Sequence, residues 1–191
     1  MKARTLALLR YKPSPALAFG LIVLLAALLA LPAAAHGPTR KKVTETIEID
    51  APADVVWARI GDFQDMSWHP AVQSQTGEGG NAIDATRVLD LGNGATIDEV
   101  LYKYSADKMS YSYRITKVDV AVLPVTNYSS RLTVKPIDDT HTKVEWRGAF
   151  YRGYPNNDPP ENLNDAAAIA AVTAVYRGGL DALKAELEAG Q

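Results

Sequence analysis

The sequence predicts an α+β domain in which an antiparallel sheet is covered on one face by a single long C-terminal helix. Two observations lead to this prediction. From Val72 to Arg152, segments rich in β-branched and aromatic residues alternate with short clusters of turn-forming residues, which is typical of an antiparallel meander. From Ile169 to Leu187, apolar residues recur every three or four positions, which indicates one helix. A sheet with one apolar face needs a covering layer, and we expect this helix to provide it.

The first 35 residues have the pattern of a cleavable signal peptide. The basic residues of this segment are Lys2, Arg4, Arg10 and Lys12. An apolar stretch from Ala16 to Leu31 follows, and then the small residues 33–35 that a signal peptidase requires. An apolar helix of this length spans about 24 Å, less than the roughly 30 Å of a hydrocarbon core. We therefore predict cleavage before His36, no stable membrane anchor afterwards, and one domain over residues 36–191.

Composition excludes several functions for that domain. Of the 20 lysines and arginines in the chain, four fall in the signal segment, so 16 basic residues remain against 22 acidic ones, a net charge of −6. An acidic domain of this kind is not expected to bind nucleic acid. The chain has no cysteine, which excludes disulfides, thiolate metal sites, iron–sulfur clusters and covalent c-type haem. We expect no cofactor.

The first elements of the domain are predicted to be a strand and two short helical segments. Residues alternate between apolar and polar from Val43 to Asp50, which indicates a half-buried strand. Pro52 then opens a helix from Asp54 to Ile60. A second short helix or turn is expected from Asp62 to His69, because Pro70 stops it.

The meander is expected to present an aromatic inner face. Its turns are predicted at Gly77 to Asn81, Gly92 to Gly94, Ala106 to Lys108 and Ile137 to Thr140. Alternation along the strands places five aromatic residues inward: Tyr111, Tyr113, Tyr128, Trp146 and Phe150. These side chains could be plain core or the wall of a ligand cavity, and several buried hydroxyl groups would favour the cavity.

The long helix is expected to face this surface with one stripe of side chains. That stripe consists of Ile169, Val172, Tyr176, Leu180, Leu183 and Leu187. Gly178 and Gly179 lie inside the helix, where each glycine is unfavourable by about 1 kcal/mol relative to alanine. Either the helix bends there or another element packs closely against it, and we favour close packing on the sheet.

The order of elements resembles a known superfamily. The segments IDAPADVVWARIGDF at Ile49 to Phe63 and WHPAV at Trp68 to Val72 are similar to those of helix-grip proteins, also called START-like, Bet v 1-like or polyketide cyclase-like. This resemblance covers most of the chain after residue 42. It implies a curved antiparallel sheet wrapped around the C-terminal helix, with a cavity between them, but it implies no single activity.

A narrower resemblance concerns function. The segments YSYRIT from Tyr111, LPVTNYSSRLTV from Leu123 and VEWRGAFY from Val144 are similar to those of MxaD-type proteins of methanol-oxidation gene clusters. This resemblance implies a periplasmic accessory protein that supports a quinoprotein methanol dehydrogenase and its acidic cytochrome c, without established catalysis of its own.

Within the implied cavity, two polar residues are candidates for chemistry. Strand alternation leaves either Asp98 or Glu99 pointing inward, and the resemblance selects Glu99. A buried carboxylate must be paired or protonated, so Glu99 is either a candidate acid or base or a hydrogen-bond partner of a tyrosine such as Tyr113. His69, after Trp68, would border the cavity mouth as a gate, proton relay or substrate ligand, or would simply cap the helix end.

Three functions remain open at this point. The first is the periplasmic accessory protein, the second a carrier of a small hydrophobic ligand with a cavity of roughly 300 Å³ or more, and the third a cyclase or hydrolase. We favour a non-enzymatic function, because no set of nucleophile, base and orienting group can be assembled from these residues. The candidate cavity residues are Trp68, His69, Glu99, Tyr111, Tyr113, Tyr128, Trp146, Phe150 and Tyr176. His36, as a free N-terminus, offers nitrogen ligands for copper or nickel, although a frayed terminus is the simpler interpretation.

Overall fold

The computed structural model describes residues 37–189, which form a seven-stranded antiparallel sheet and two α-helices. The strands are β1 (Lys41–Ile49), β2 (Ser74–Glu78), β3 (Thr86–Asp90), β4 (Thr96–Ser105), β5 (Ser110–Val118), β6 (Val125–Pro136) and β7 (Thr142–Arg152). The helices are α1 (Ala53–Ile60) and α2 (Asp165–Ala189), and a 3₁₀ turn at Glu161–Leu163 precedes α2. The expected signal peptide and His36 lie outside the described residues.

The order of strands in the sheet is β1-β7-β6-β5-β4-β3-β2. Strands β2 to β7 therefore follow one another as a meander, as the turn signals predict. Strand β1 pairs with β7, so β1 and β2 form the two edges of the sheet. The predicted α+β arrangement of an antiparallel sheet, a short helix after the first strand and a long C-terminal helix is confirmed.

Helix α2 covers the inner face of the sheet and packs most extensively on β1 and β7. Four residues of the predicted stripe are fully buried: Val172, Tyr176, Leu180 and Leu183. Ile169, in contrast, is 38% exposed, and Ala168 is buried in its place. Ala168 lies four positions before Val172 and so continues the buried row, whereas Ile169 is rotated away by about 100°. The helix is long and apolar enough to cross a membrane, but its apolar face is buried, so it is the core helix.

The helix continues through its two glycines. A Cβ atom at Gly179 would lie 2.4 Å from Cδ2 of His69 and 3.0 Å from Cζ3 of Trp146. Close packing at this position is therefore confirmed, because a larger residue would collide with two rings. At Gly178 no atom lies within 4 Å of such a Cβ, so the packing argument is wrong for that residue.

The segment from Asp62 to His69 forms turns, so of the two predicted alternatives the turn is confirmed and a second short helix is wrong. Asp62 Oδ1 accepts a hydrogen bond from the backbone N–H of Gln64 at 2.9 Å, and Asp65 Oδ1 accepts one from Ser67 at the same distance. Aspartate side chains that bind backbone groups two residues ahead compete with helical hydrogen bonds. Asp62 and Asp65 therefore each stabilise a tight turn before Pro70, and these turns place Trp68 and His69 beneath α2.

Candidate functional site

The space between α2 and the sheet is filled largely by aromatic rings. All six aromatic residues predicted for this face are buried: Tyr111, Tyr113, Tyr128, Trp146, Phe150 and Tyr176. Trp146 stacks on Tyr176 with ring centroids 4.4 Å apart and an interplanar angle of 15°. Trp68, also buried, approaches Trp146 to 5.5 Å between centroids. Most of the predicted cavity wall is thus packed ring against ring.

A small cavity remains beside these rings, with a volume of about 60 Å³. Five of the predicted site residues line it: His69, Glu99, Tyr113, Tyr128 and Trp146. The other four, Trp68, Tyr111, Phe150 and Tyr176, do not. The volume is well below the roughly 300 Å³ expected of a pocket for a drug-sized ligand. The structure therefore offers room for a few atoms only.

The rest of the cavity lining is apolar. Half-buried side chains of Val72, Leu91, Ile115 and Val175 form its rim. Val72 belongs to the segment after His69, Leu91 to the turn between β3 and β4, Ile115 to β5 and Val175 to α2. The cavity therefore opens at one end of the groove between helix and sheet.

Glu99 points inward, as the sequence predicts, and its partner is Arg87. The two residues lie opposite each other in the pairing of β3 with β4, and Arg87 Nε donates to Glu99 Oε2 at 2.6 Å. Arg87 Nη1 also donates to the carbonyl oxygen of Phe63 at 2.7 Å, and the guanidinium carbon lies 4.3 Å from the centre of the Phe63 ring. The expected hydrogen bond between Glu99 and Tyr113 is wrong, since Tyr113 Oη instead accepts from Trp146 Nε1 at 3.2 Å.

Both members of this ion pair are almost inaccessible, with 1% of Arg87 and 4% of Glu99 exposed. Burial raises the pKa of Glu99 above its ordinary value, and the charge of Arg87 opposes that rise. Burial also opposes the charge of Arg87, but the carboxylate of Glu99 holds the pKa of Arg87 above its ordinary value. Arg87 Nη2 has no acceptor in hydrogen-bonding geometry. The hydroxyl group of Tyr111 is close enough for the charge of Arg87 to affect the pKa of Tyr111. Glu99 is therefore a member of an ion pair rather than a free acid or base.

A second buried polar network is centred on Ser130. Its hydroxyl oxygen accepts from Trp146 Nε1 at 2.9 Å, lies 3.0 Å from Tyr176 Oη, and donates to the carbonyl oxygen of Arg147 at 3.0 Å. The hydroxyl groups of Tyr128 and Tyr176 are 2.6 Å apart. Burial raises the pKa values of Tyr113, Tyr128 and Tyr176 above the ordinary value, so these hydroxyl groups stay protonated. Sequence reasoning missed Ser130, although alternation with Leu132 on β6 placed it on the inner face.

His69 connects the turn segment to α2. Its Nε2 lies 2.9 Å from the carbonyl oxygen of Val175, and its Nδ1 accepts from the backbone N–H of Ala71 at 3.2 Å. These two partners assign the neutral tautomer with the proton on Nε2. Burial lowers the pKa of His69, so it stays neutral near pH 7. Both ring nitrogens are engaged, so His69 acts as a structural link and is not available as a proton relay.

Metal ligation has no support among residues 37–189, where no three His, Asp or Glu side chains converge on a point that could hold an ion. The proposed copper or nickel ligand His36 lies just before this range.

Comparison with known proteins places these features in a family context. The profile of a family described as "polyketide cyclase / dehydrase and lipid transport" matches residues 40–188, which is nearly the whole described domain. No curated protein matches the sequence.

Several solved structures share the fold. An uncharacterised protein from Bacillus thuringiensis is 31% identical, with a TM-score of 0.66 over 78% of this chain and 99% of its own. The protein XoxI from Bacillus cereus is also 31% identical, with a TM-score of 0.65 over 77% of this chain and 95% of its own. The ZhuI aromatase/cyclase of a Streptomyces species is 18% identical, with a TM-score of 0.61 over 78% of this chain and 94% of its own. The last likeness concerns the fold alone.

Proposed function

The chain belongs to the polyketide cyclase/dehydrase and lipid transport family, with the helix-grip fold, and from that premise we propose that it is a non-enzymatic accessory protein of the periplasm. One observation carries the non-enzymatic part of this proposal: the polar groups at the cavity are already engaged with one another. Arg87 holds Glu99, and two backbone groups hold His69. A general acid, base or nucleophile must instead reach a substrate atom.

The process that it would assist is methanol oxidation by a quinoprotein methanol dehydrogenase and its cytochrome c. The support is the likeness of three segments to MxaD-type proteins, and two of these segments form most of β6 and β7. The predicted signal peptide supports the periplasmic location, where such a dehydrogenase works.

The direct experiment is reconstitution. Residues 36–191 are added to purified methanol dehydrogenase and its cytochrome c, and methanol-dependent reduction of the cytochrome is followed by absorbance. We expect the rate to rise with the amount of added protein. An exported protein of similar size and net charge but unrelated fold is the control. An equal rate with both proteins, together with no retention of the dehydrogenase on the immobilised chain, would contradict the proposal.

A second candidate function is binding of a small ligand, which the apolar cavity beside Glu99 favours. At about 60 Å³ the cavity accepts a molecule of only a few non-hydrogen atoms unless the rings of Trp146 and Tyr113 move apart. Native mass spectrometry of the protein purified from its own source tests this idea. A bound mass in addition to the chain supports the carrier, and the bare mass of residues 36–191 supports the accessory protein and also confirms cleavage before His36.

A cyclase or hydrolase has the least support. The resemblance to the aromatase/cyclase concerns the fold alone, and the buried carboxylate that such an enzyme would use is in an ion pair with Arg87.

A further inference from the structure

The outer face of the sheet carries a row of side chains that runs straight across five strands. Strand pairing places Thr44, Arg147, Arg131, Ser112 and Lys103 side by side, one residue from each of β1, β7, β6, β5 and β4. With about 4.8 Å between strands, this row is about 19 Å long. It lies on the opposite side of the sheet from α2 and from the cavity.

Two adjoining depressions of about 370 and 340 Å³ follow this row, and they share Tyr102, Lys103, Ser112 and Arg131. Their lining contains five cationic residues: Lys42, Lys103, Lys108, Arg131 and Arg147. It contains no aspartate or glutamate, and none of the five cations forms an ion pair within residues 37–189. We call this surface the basic groove. It is exceptional in a domain whose net charge is −6 after removal of the predicted signal peptide.

The arrangement is unfavourable for the isolated protein. Arg131 and Arg147 are direct cross-strand partners, and like charges in such positions destabilise a sheet. Cross-strand partners have Cβ atoms about 4.5–5.5 Å apart. This spacing is less than the Debye length of about 8 Å at physiological salt, so the repulsion is only partly screened. Lys135, on the same face of β6, does have a counter-charge, because its Nζ lies 3.3 Å from Glu145 Oε2 on β7. An external anion would supply the missing compensation at the basic groove.

We propose that the basic groove is the docking surface for an acidic, carboxylate-rich segment of a partner protein. A small anion such as phosphate contacts only one or two cations at a time, whereas these are spread over about 19 Å. A membrane surface fits less well. Binding at a membrane interface uses a set of exposed apolar side chains. Among residues 37–189, Ile83 is the only large, exposed apolar residue that lines the basic groove. Serine and threonine hydroxyl groups between the cations offer further donors to carboxylates. This proposal stands on the charges of the groove and does not depend on the role in methanol oxidation.

The test uses residues 36–191 and a fluorescein-labelled decaglutamate peptide, with binding measured by fluorescence anisotropy at low salt. The double variant Arg131→Gln/Arg147→Gln is compared with Lys117→Gln/Lys184→Gln, which removes the same net charge from places outside the groove. We expect the groove variant to bind the peptide about tenfold more weakly, equivalent to about 1.4 kcal/mol for two exposed charge pairs, and the control variant to change affinity less than about twofold.

Three results would overturn the proposal. The first is an equal loss of affinity in both double variants, which would indicate a response to net charge alone. The second is displacement of the peptide by inorganic phosphate at the same concentration of charge, which would indicate a small-anion site. The third is a protein that binds phosphatidylglycerol vesicles but not the peptide, and whose vesicle binding is lost when Arg131 and Arg147 are replaced. Urea unfolding checks the fold. The midpoint of the groove variant should stay close to that of the wild type, because the loss of the hydrogen bonds from Arg131 to Ser110 Oγ offsets the removal of the repulsive pair.

Discussion

Replacing Glu99 with leucine while Arg87 is kept would leave a guanidinium group that is 1% exposed without its counter-charge. Removal of one partner from a buried ion pair typically reduces the free energy of unfolding by about 3–5 kcal/mol. For a domain of this size that corresponds to a melting temperature lower by roughly 6–20 °C. The double variant Arg87→Met/Glu99→Leu removes both charges and restores apolar packing. It still deprives the Phe63 carbonyl oxygen of its donor, so we expect a loss of about 1–3 kcal/mol relative to wild type.

The assay is urea unfolding of residues 36–191, followed by tryptophan fluorescence, because Trp146 and Trp68 are buried in the core. Glu186→Leu is the matched control, since Glu186 pairs with Arg59 but its side chain is 46% exposed, and exposed pairs contribute at most about 1 kcal/mol. The double variant should be more stable than Glu99→Leu alone. A loss below about 1 kcal/mol for Glu99→Leu, or a double variant less stable than Glu99→Leu alone, would refute the view that Glu99 serves mainly to neutralise Arg87.

Two further predictions concern the inner face. A Cβ at Gly148 would lie 2.2 Å from Tyr176 Oη, so Gly148→Ala should lower the free energy of unfolding by about 1–3 kcal/mol. A Cβ at Gly178 would meet no atom within 4 Å, so Gly178→Ala should raise the free energy of unfolding by about 0.5–1 kcal/mol through its better helix propensity. Equal urea midpoints for the two variants would contradict this description of the packing. Burial lowers the pKa of His69, so the unfolded chain takes up a proton near pH 6.5 before the folded chain does, and stability should fall as the pH decreases from 7 to 5. The decrease should be smaller in His69→Gln, and parallel pH curves for the two proteins would show that His69 is not responsible.

Most of the fold follows from local patterns. Turn residues mark the ends of the strands, and the spacing from Val172 to Leu183 identifies the buried face of α2. For the short segment after α1, the sequence leaves helix and turn open, because a single-sequence pattern does not reveal which backbone groups aspartate side chains will bind. Asp62 and Asp65 each close a turn, and this local competition outweighs the weak apolar periodicity around them.

The partner of Glu99 required information that alternation along one strand does not contain. Alternation tells which face a side chain occupies, but only the register between strands tells which side chain lies opposite. The turn at Gly92 to Gly94 does centre the β3–β4 hairpin so that Arg87 meets Glu99, and this signal was available in the sequence. The same limit applies to Arg131 and Arg147, whose outward direction is predictable but whose positions opposite each other depend on the pairing of β6 with β7.

The size of the cavity was not predictable from composition. Aromatic residues with hydroxyl groups can enclose a pocket or fill it, and the difference depends on sheet curvature and on ring rotamers. Here Ser130 draws Trp146 and Tyr176 into one hydrogen-bonded network, and the stacked rings occupy the space that a ligand would need.

The pairing of the first strand with the last has a consequence for how the chain folds. The hairpins from β2 to β7 form between strands that are neighbours in sequence. Strand β1, in contrast, pairs within residues 37–189 with β7, the last strand of the sheet, and Arg40 donates to the carbonyl oxygen of Ala149 across 109 positions of sequence. Contacts between such distant positions slow folding, since a long loop must close before they form. The sheet therefore cannot be completed until β7 has left the ribosome. A chain that remains open until late in its synthesis suits translocation in an unfolded state, so the strand order and the predicted signal peptide are compatible properties of the same polypeptide.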